Sequence, residues 1–376
     1  MTVRILHTAD NHIGLPFKQY PSSVRDALVE ERFAALGRLV DTANSRQAEF
    51  FVIAGDLFDS IRVAARDIKR TAEILRGFAG EAVIVVPGNH DHYHGPETEV
   101  WKRFRQEIEG AGNIDLLTAG EVKSYSVADQ AVQFFPCPCP SKTGPESTIG
   151  WVAAAAKERP EGLRVGIAHG NVTGLGLDAE GQYFNMNPAA LEQAGVATWL
   201  LGHIHVPFPI ADAGTHSPYF MAGTHTPDSL RCRHAGSAWW IECEGDRVAR
   251  YERLSPGEVR FVRIEKQLAS ADDVAAVFAE CRGLEPSRTV LDLQLSGRLA
   301  AAERAALDEG IAALRPSFLN LSDESVVHDR IDVAQVAKLY SDGGLAARLL
   351  TGLLADAAHP DAATLAHDLI EKARKA

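Results

Sequence analysis

The sequence has few cysteines, no long apolar run and no excess of basic residues, and each absence excludes a class of protein. Among its 376 residues are five cysteines, at positions 137, 139, 232, 243 and 281. A sparse, odd-numbered set of this kind is not a disulfide framework and is typical of a reducing cytoplasm. No apolar run approaches the roughly 20 residues of a membrane span, and no cleavable signal precedes the first strand. We therefore expect a cytoplasmic protein with no membrane segment.

The charge balance and the cysteine spacing exclude two further kinds of site. The chain carries 38 basic and 50 acidic residues, a formal net charge of −12, which argues against nucleic-acid binding through a broad basic surface. An enzyme that acts on nucleic acid is not excluded, because bound divalent cations change the local field. Cys137 and Cys139 lack a second cysteine or histidine pair at finger spacing, so they do not indicate a zinc site.

What the sequence does contain is a repeated arrangement of an apolar run followed by aspartate, asparagine or histidine. Residues 82–86 are apolar and mostly β-branched, and Gly-Asn-His-Asp follows at residues 88–91, which predicts a buried strand opening into a polar loop. Four further segments repeat this arrangement, at residues 6–12, 51–56, 165–169 and 200–205. One such segment is weak evidence, but five together favour a single metal site.

The polar residues of these segments are suited to bind two divalent ions. Asp10 and His12 are two positions apart in the chain, and so are His203 and His205. In extended backbone, residues at this spacing point to the same side. The candidate ligands are Asp10, His12, Asp56, Asn89, His169, His203 and His205. None is a cysteine, which favours manganese, iron, magnesium or zinc over copper or an iron–sulfur cluster. Two divalent ions facing two carboxylates would leave positive charge for a phosphodiester anion.

His90 is an additional imidazole beside the candidate ligands. If Asn89 binds metal, His90 on the same tight loop can face the scissile phosphate without contacting an ion. It would then protonate the leaving group or stabilise the developing charge. A carboxylate that fixes its tautomer could come from Asp59 or Asp91.

The order of the predicted elements indicates an α/β fold. Helical spacing of apolar residues predicts helices at residues 22–45 and at about residues 64–78, each between two strands. This alternation predicts parallel strands whose carboxyl ends, and hence the polar loops, lie together. Later strands at residues 237–243 and 247–253 suit a second, more antiparallel sheet.

Ser-Pro-Gly at residues 255–257 is the best candidate for a domain boundary. Alternating strands and helices after it predict a small α+β module at residues 258–330. A helical segment follows at residues 331–376, and its leucines, among them Leu345 and Leu349, form an apolar stripe. Packing within the same domain is the simpler explanation of this stripe, and contact with a partner is the alternative.

In order and in residue type, the five segments resemble the signature of the calcineurin-like metallophosphoesterases, which is Asp-x-His, Gly-Asp-x-x-Asp, Gly-Asn-His-Asp/Glu, a later His and Gly-His-x-His. The resemblance covers residues 1–255 and implies a four-layer αββα sandwich of two sheets with a pair of metal ions at its rim. It also implies two ligand sets that share Asp56, which are Asp10, His12, Asp56 and His205 for one ion, and Asp56, Asn89, His169 and His203 for the other. His90 would act on the phosphate, with Asp59 orienting it.

Within that superfamily the local sequence is similar to the SbcD-type DNA repair nucleases, at residues 7–14, 55–59, 168–170 and 201–205. Residues 258–330 are similar in size and pattern to that branch's smaller α+β capping domain, and C-terminal helices follow. The resemblance implies a manganese-dependent DNA exonuclease and endonuclease acting in double-strand-break repair. It also implies a homodimer and a complex with an SbcC-type coiled-coil ATPase.

Two other functions fit parts of the sequence. A small-molecule phosphodiesterase or phosphatase of the same superfamily would work without an ATPase partner, although residues 55–59 lack the Arg-Gly continuation of the protein phosphatases. A non-catalytic scaffold on this fold would have lost ligand residues, and all seven are present. The sequence therefore favours a two-metal phosphodiesterase that acts on DNA.

Overall fold

The computed structural model describes residues 2–175, 181–356, 358–359 and 362–375. The chain divides into two compact units, Met1–Arg260 and Phe261–Ala376. Both units contain helices and strands, so the α/β class predicted from the sequence is confirmed. The finer division at residues 255 and 330 stays a prediction. None of the helices within the described residues combines the length and the hydropathy of a membrane span.

The first unit alternates strands and helices in its first part and is rich in strands later. Its strands are β1 (Thr2–Thr8), β2 (Phe50–Ala54), β3 (Ala82–Val86), β4 (Ile114–Leu116), β5 (Lys123–Val127), β6 (Gln130–Cys137), β7 (Leu163–His169), β8 (Thr198–Gly202), β9 (Ala213–Gly214), β10 (Tyr219–Met221), β11 (Ala238–Glu244) and β12 (Arg247–Leu254). Its helices are α1 (Ser22–Ser45), α2 (Ala65–Arg76), α3 (Glu99–Ile108), α4 (Val152–Glu158) and α5 (Pro188–Gln193).

These strands form two sheets. The first sheet has the order β4-β3-β2-β1-β11-β12-β9, and the second has the order β10-β8-β7-β6-β5. Strands β1 to β4 pair in parallel, as do β6, β7, β8 and β10. The parallel pairing predicted for the first three strands is therefore confirmed, and their carboxyl ends lie along one edge of the first sheet.

Apolar side chains on both faces of each sheet form the core of this unit. Phe50 of the first sheet and Phe134 of the second belong to one buried cluster, so the two sheets pack against each other. On the other face of the first sheet, Phe51 packs with Leu36 of α1. Strands that are buried on both faces read as continuous apolar runs, which is why β2 and β3 have no polar residue.

Strands β11 and β12 lie in the first sheet, which corrects the prediction of a second antiparallel sheet for residues 237–243 and 247–253. β11 pairs antiparallel with β1, and β12 pairs antiparallel with β11. The reason lies in β11, which is apolar on both faces. Trp239 and Ile241 pack between the sheets, whereas Trp240 packs on the helical side. A strand with two buried faces is stable only in the interior of a covered sheet.

The second unit has a smaller sheet with helices packed against it. Its elements are β13 (Arg260–Leu268), α6 (Ala271–Arg282), β14 (Thr289–Leu299), α7 (Ala301–Leu314), β15 (Asn320–Asp323), β16 (Val326–Asp329), α8 (Val333–Leu339), α9 (Leu345–Leu354) and α10 (Ala362–Lys375). β14 is central and pairs with the other three strands. Val277 of α6 and Ile311 of α7 pack in one cluster with Leu293 of β14.

Candidate metal centre

The candidate ligands lie at or just after the carboxyl ends of five strands, three in the first sheet and two in the second. Backbone hydrogen bonds join the loops of the first sheet, from the Asp10 N–H to the Gly55 carbonyl at 3.1 Å and from the His12 N–H to the Asp56 carbonyl at 2.9 Å. His169 connects the second sheet to the first, because its Nδ1 lies 2.8 Å from the carbonyl oxygen of Ala54. Since a carbonyl only accepts, His169 donates from Nδ1 and turns Nε2 inward.

Several residues of these loops have left-handed backbone conformations. The φ angles are 51° at Asp10, 41° at His12, 52° at Asp56 and 100° at His203. Non-glycine residues in this region are strained and tend to occur at functional sites. Gly55, with φ of 87°, also permits a close approach, because a Cβ at this position would lie 2.1 Å from His169 Nδ1.

The first predicted ligand set forms a continuous chain of contacts. Asp10 Oδ1 lies 3.6 Å from His205 Nε2, and His205 Nε2 lies 3.2 Å from His12 Nε2. His12 Nε2 in turn lies 3.7 Å from Asp56 Oδ2. The four side chains therefore direct carboxylate oxygens and imidazole nitrogens at the same small volume.

The second predicted set forms a similar chain that begins at the same carboxylate. Asp56 Oδ2 lies 3.2 Å from His169 Nε2, and His169 Nε2 lies 3.0 Å from Asn89 Oδ1. Asn89 Oδ1 lies 3.1 Å from His203 Nδ1. The structure thus brings all seven predicted residues together, with Asp56 at the junction of the two sets.

The donor atoms of the first set fit a bound cation. Nδ1 of His205 contacts the Asp228 carboxylate at 2.7 Å, and Nδ1 of His12 contacts the Asp59 carboxylate at 3.2 Å. Carboxylates accept hydrogen bonds, so each ring carries its proton on Nδ1 and presents a lone pair at Nε2. Two lone pairs that face each other at 3.2 Å repel unless a cation or an additional proton lies between them. Imidazole and carboxylate donors are ligands for manganese, iron and zinc.

The charges of the second set also favour a cation. Burial alone would lower the pKa of His169, but the adjoining carboxylates of Asp56 and Asp10 outweigh it and raise the pKa to about 9. Burial and the charge of His169 lower the pKa of His203 to about 3. Without a metal, this volume therefore attracts a proton to His169, and a divalent cation would take the place of that proton.

His90 lies at the edge of the ligand cluster. Its ring packs edge-on against His12, with the ring centroids 4.7 Å apart, and its backbone N–H donates to Asp56 Oδ1 at 2.8 Å. His90 Nδ1 lies 3.0 Å from the carbonyl oxygen of Asp59. Asp59 therefore contacts His90 through its backbone carbonyl, whereas the carboxylate that the sequence suggested for this role contacts His12.

Asp91 holds the Asn89 loop in place. Its carboxylate accepts hydrogen bonds from the N–H groups of Gly88 at 2.7 Å and Phe58 at 2.9 Å, and its carbonyl accepts one from Trp101 Nε1. Burial and the nearby Asp56 carboxylate raise the pKa of Asp91 to about 8, although the two N–H donors oppose this shift. The side chain is fully buried, so Asp91 shapes the loop and does not reach substrate.

We expect Asp91→Ala to lower the free energy of unfolding by about 2–6 kcal/mol, because it leaves two buried N–H donors unpaired at about 1–3 kcal/mol each. Chemical denaturation of the metal-free protein measures this change. Glu97→Ala is the matched control, since Glu97 lies on the same segment and its side chain is exposed. A loss in Asp91→Ala no larger than in the control would contradict this role.

Arg32 was not identified from the sequence, although its side chain is hydrogen-bonded to the loop that follows β1. Arg32 is 1% exposed, and its Nε donates to the Asn11 carbonyl at 2.8 Å. The Thr224 hydroxyl donates to the Asp10 carbonyl at 2.9 Å and accepts from Arg32 at 3.3 Å. A signal existed in the sequence, because Arg32 stands on the same helical face as Leu28 and Leu36, where a core residue is expected.

Comparisons with known proteins agree with this geometry. The sequence profile of the calcineurin-like phosphoesterases matches residues 3–207. The uncharacterized metallophosphoesterase YhaO of Bacillus subtilis is 25% identical over 206 residues, which are 53% of this chain and 48% of that protein. The DNA double-strand break repair protein Mre11 of Aeropyrum pernix is 26% identical over 258 residues, 65% of this chain and 58% of that protein.

A third relative matches a shorter region. The SbcD component of the nuclease SbcCD of Escherichia coli K12 is 35% identical over 91 residues, which are 24% of this chain and 21% of that protein. The chain spans about half the length of the YhaO and Mre11 relatives. The profile match covers more than half of the chain and includes all seven ligand-type residues, from Asp10 to His205. This chain therefore belongs to the calcineurin-like phosphoesterase family.

Proposed function

We propose that this chain is the nuclease subunit of a DNA repair complex and hydrolyses phosphodiester bonds in DNA with a pair of divalent metal ions. The observation that carries the proposal is the meeting of seven ligand-type side chains at five strand ends, with His90 beside them. Relatives named for DNA double-strand break repair and as a nuclease subunit favour DNA as the substrate. The net charge of −12 does not oppose it, because bound cations reverse the local charge.

In this proposal the two ligand sets divide the metals between them. Asp10, His12, Asp56 and His205 would hold one ion, and Asn89, His169 and His203 would hold the other together with Asp56. When bound, such a pair of divalent ions would supply Lewis acidity, which lowers the pKa of a water molecule and offsets the negative charge of the phosphodiester. The protein residues supply the rigid loops that fix both sets.

His90 would protonate the leaving oxygen of the cleaved phosphodiester. The Asp59 carbonyl holds Nδ1 of His90 at 3.0 Å and can only accept, so Nδ1 keeps its proton. Nε2 is then the atom that carries a proton to substrate when the ring is charged. The backbone N–H of His90 donates to Asp56 Oδ1, which fixes His90 beside the carboxylate that belongs to both ligand sets, close to where the phosphate would bind.

Manganese is the metal we propose. Oxygen and imidazole donors suit a hard or borderline divalent ion. Cys139 lies close by, and its thiol donates to the His169 carbonyl at 3.2 Å. Burial raises the pKa of this thiol well above its ordinary value, so it does not supply the thiolate that a soft metal would need.

The test compares three substrates with manganese-loaded protein, which are single-stranded DNA, duplex DNA ends and bis-p-nitrophenyl phosphate. We expect cleavage of DNA as well as of the small ester, and loss of both on treatment with a chelator. Turnover confined to the small ester would replace the nuclease by a small-molecule phosphodiesterase. Binding of metal without turnover of any of the three would favour a non-catalytic scaffold.

The exposed leucines of the last two helices are the surface through which we propose an SbcC-type ATPase to bind. Leu345 in α9 is 78% exposed, and Leu365 and Leu369 in α10 are 63% and 60% exposed. The pairs Leu345 with Leu349, and Leu365 with Leu369, stand four positions apart, so each forms a stripe on its helix. Exposed apolar stripes of this kind are common in partner-binding surfaces.

We expect the double variant Leu345→Glu, Leu349→Glu to reduce association with a co-expressed SbcC-type ATPase by at least tenfold, because charge replaces the apolar contact. Hydrolysis of bis-p-nitrophenyl phosphate should stay unchanged. Thr351→Glu is the control, since it adds a charge at an exposed position of the same helix. Association of the double variant at the level of the control would contradict the proposed surface.

The proposal includes a homodimer that works in the cytoplasm. Light scattering of the purified chain measures its molar mass in solution. For a homodimer we expect twice the 40.6 kDa of one chain. A monomeric mass at micromolar concentration would remove the dimer from the proposal and leave the metal chemistry in place.

A further inference from the structure

A carboxylate outside both predicted ligand sets lies behind His205. Asp228 Oδ2 is 2.7 Å from His205 Nδ1, and its other oxygen accepts a hydrogen bond from the Ser229 hydroxyl at 2.9 Å. The side chain of Asp228 is 17% exposed. Both of its oxygens are therefore held, and the contact with His205 is shielded from much of the solvent.

This contact fixes which nitrogen of His205 faces the ligand cluster. A neutral imidazole carries one proton on either nitrogen, and the ring can also turn over about its bond to Cβ. Because the carboxylate accepts the Nδ1 proton, Nε2 keeps a lone pair, 3.2 Å from His12 Nε2 and 3.6 Å from Asp10 Oδ1. Without Asp228 both the tautomer and the ring orientation would be free to change.

The segment that carries Asp228 is anchored to the same site. It follows strand β10, and Thr224 within it forms a bridge with Ala9 and donates its hydroxyl proton to the Asp10 carbonyl. His205 also accepts at its own carbonyl from His234 Nε2 at 2.7 Å. The backbone on both sides of the Asp228–His205 contact is thus fixed, so the contact is a built feature of the fold.

His12 is held in the same manner by a different carboxylate. Its Nδ1 lies 3.2 Å from Asp59 Oδ1, so each of the two facing rings has a carboxylate of its own on the outer nitrogen. Histidines that bind metals commonly donate their second N–H to a carboxylate, which sets ring orientation and raises ligand basicity.

We propose that Asp228 is a positioning residue that orients His205 toward a divalent cation in the set formed by Asp10, His12, Asp56 and His205. The inference rests on the proposed function in taking these four residues as one metal site. Asp228 acts through His205 and makes no contact of its own with the ion. Its loss should therefore weaken one of two metal equivalents and leave the other.

The experiment measures manganese binding to the metal-free full chain by titration calorimetry, without substrate. We expect wild type to bind two equivalents. Asp228→Ala should weaken one equivalent by about 10- to 100-fold, as is typical for removal of such a carboxylate, and leave the second unchanged. Asp228→Asn keeps the shape of the side chain and should show a smaller loss, and it serves if the alanine variant does not fold.

Two controls separate positioning from a general loss of structure or charge. Asp212→Asn removes one acidic charge from an exposed position in the same unit, where Asp212 pairs with Arg253, and should bind manganese as wild type does. On a His205→Ala background, Asp228→Ala should add no further loss, because residues that act through one partner are not additive.

Two results would overturn the inference. One is that Asp228→Ala weakens manganese binding equally in wild type and in His205→Ala, and the other is that both Asp228 variants bind manganese as wild type does. Wild type that binds two equivalents yet cleaves no DNA would overturn the nuclease function and leave Asp228 in its role. Cooperative unfolding of the metal-free Asp228 variant, together with about 10- to 100-fold weaker binding of one manganese equivalent, is the expected result.

Discussion

His90→Ala should lower kcat for DNA cleavage by about 10²- to 10⁴-fold, the range that a general acid contributes, while the protein still binds two manganese equivalents. The reason is the position of the ring, whose Nδ1 is fixed by the Asp59 carbonyl and whose edge packs against His12 outside both ligand sets. Single-turnover cleavage of a labelled duplex measures the rate of the chemical step, and metal content is measured on the same preparation.

The control for this variant is His94→Ala, which removes another histidine from the same loop at an exposed position. Its rate and metal content should both equal those of wild type. A fall of metal content to one equivalent in His90→Ala would make His90 a ligand and not a proton donor. The grouping of His90 with His12 and Asp56 within 4.8 Å makes this a real alternative outcome.

Asp56→Asn should abolish cleavage and remove both manganese equivalents, a larger effect than the loss of any other single ligand. Asp56 Oδ2 contacts His169 at 3.2 Å in one set and lies 3.7 Å from His12 in the other, so it joins the two sets. Burial opposes ionisation of this carboxylate, but the neighbouring histidines, His169 above all, hold the pKa of Asp56 below its usual range. Asp56 is therefore charged at neutral pH, and the amide of the variant would carry no charge to offset that of two cations.

Thermal unfolding with and without manganese measures this loss independently of activity. At a manganese concentration of 100 times Kd, each bound ion stabilises the folded state by about 2.7 kcal/mol, so wild type should melt at a higher temperature with the metal. Asp56→Asn should melt at the same temperature in both conditions. Asp41→Asn, an exposed position in α1, should keep the wild-type shift. A retained shift in Asp56→Asn would show that one metal site survives without this carboxylate.

The secondary structure near the site was predictable because its signals are local. The spacing of Leu28, Phe33 and Leu36 predicted a helix at residues 22–45, and α1 is Ser22–Ser45. The apolar runs before Asp56 and Asn89 predicted strands, and β2 and β3 end at Ala54 and Val86. In both cases a period of the chain or a continuous apolar run determines the element without reference to distant residues.

The placement of the later strands was not predictable in the same way. Residues 237–243 were assigned to a second sheet, whereas β11 pairs with β1 of the first. Apolar residues on both faces of a strand indicate burial, but they do not say which neighbour covers each face. Only the packing of Trp239 between the sheets and of Trp240 against the helical side decided it.

The sequence by itself determined which residue types stand at the ends of five strands, because an apolar run and the polar residues after it are contiguous in the chain. The tertiary structure decided which atoms meet. Asp59 turns its carboxylate to His12 and its carbonyl to His90, and Asp228 reaches His205 from a separate loop. Such contacts depend on side-chain direction and on loops brought together by two packed sheets, and no local spacing encodes them.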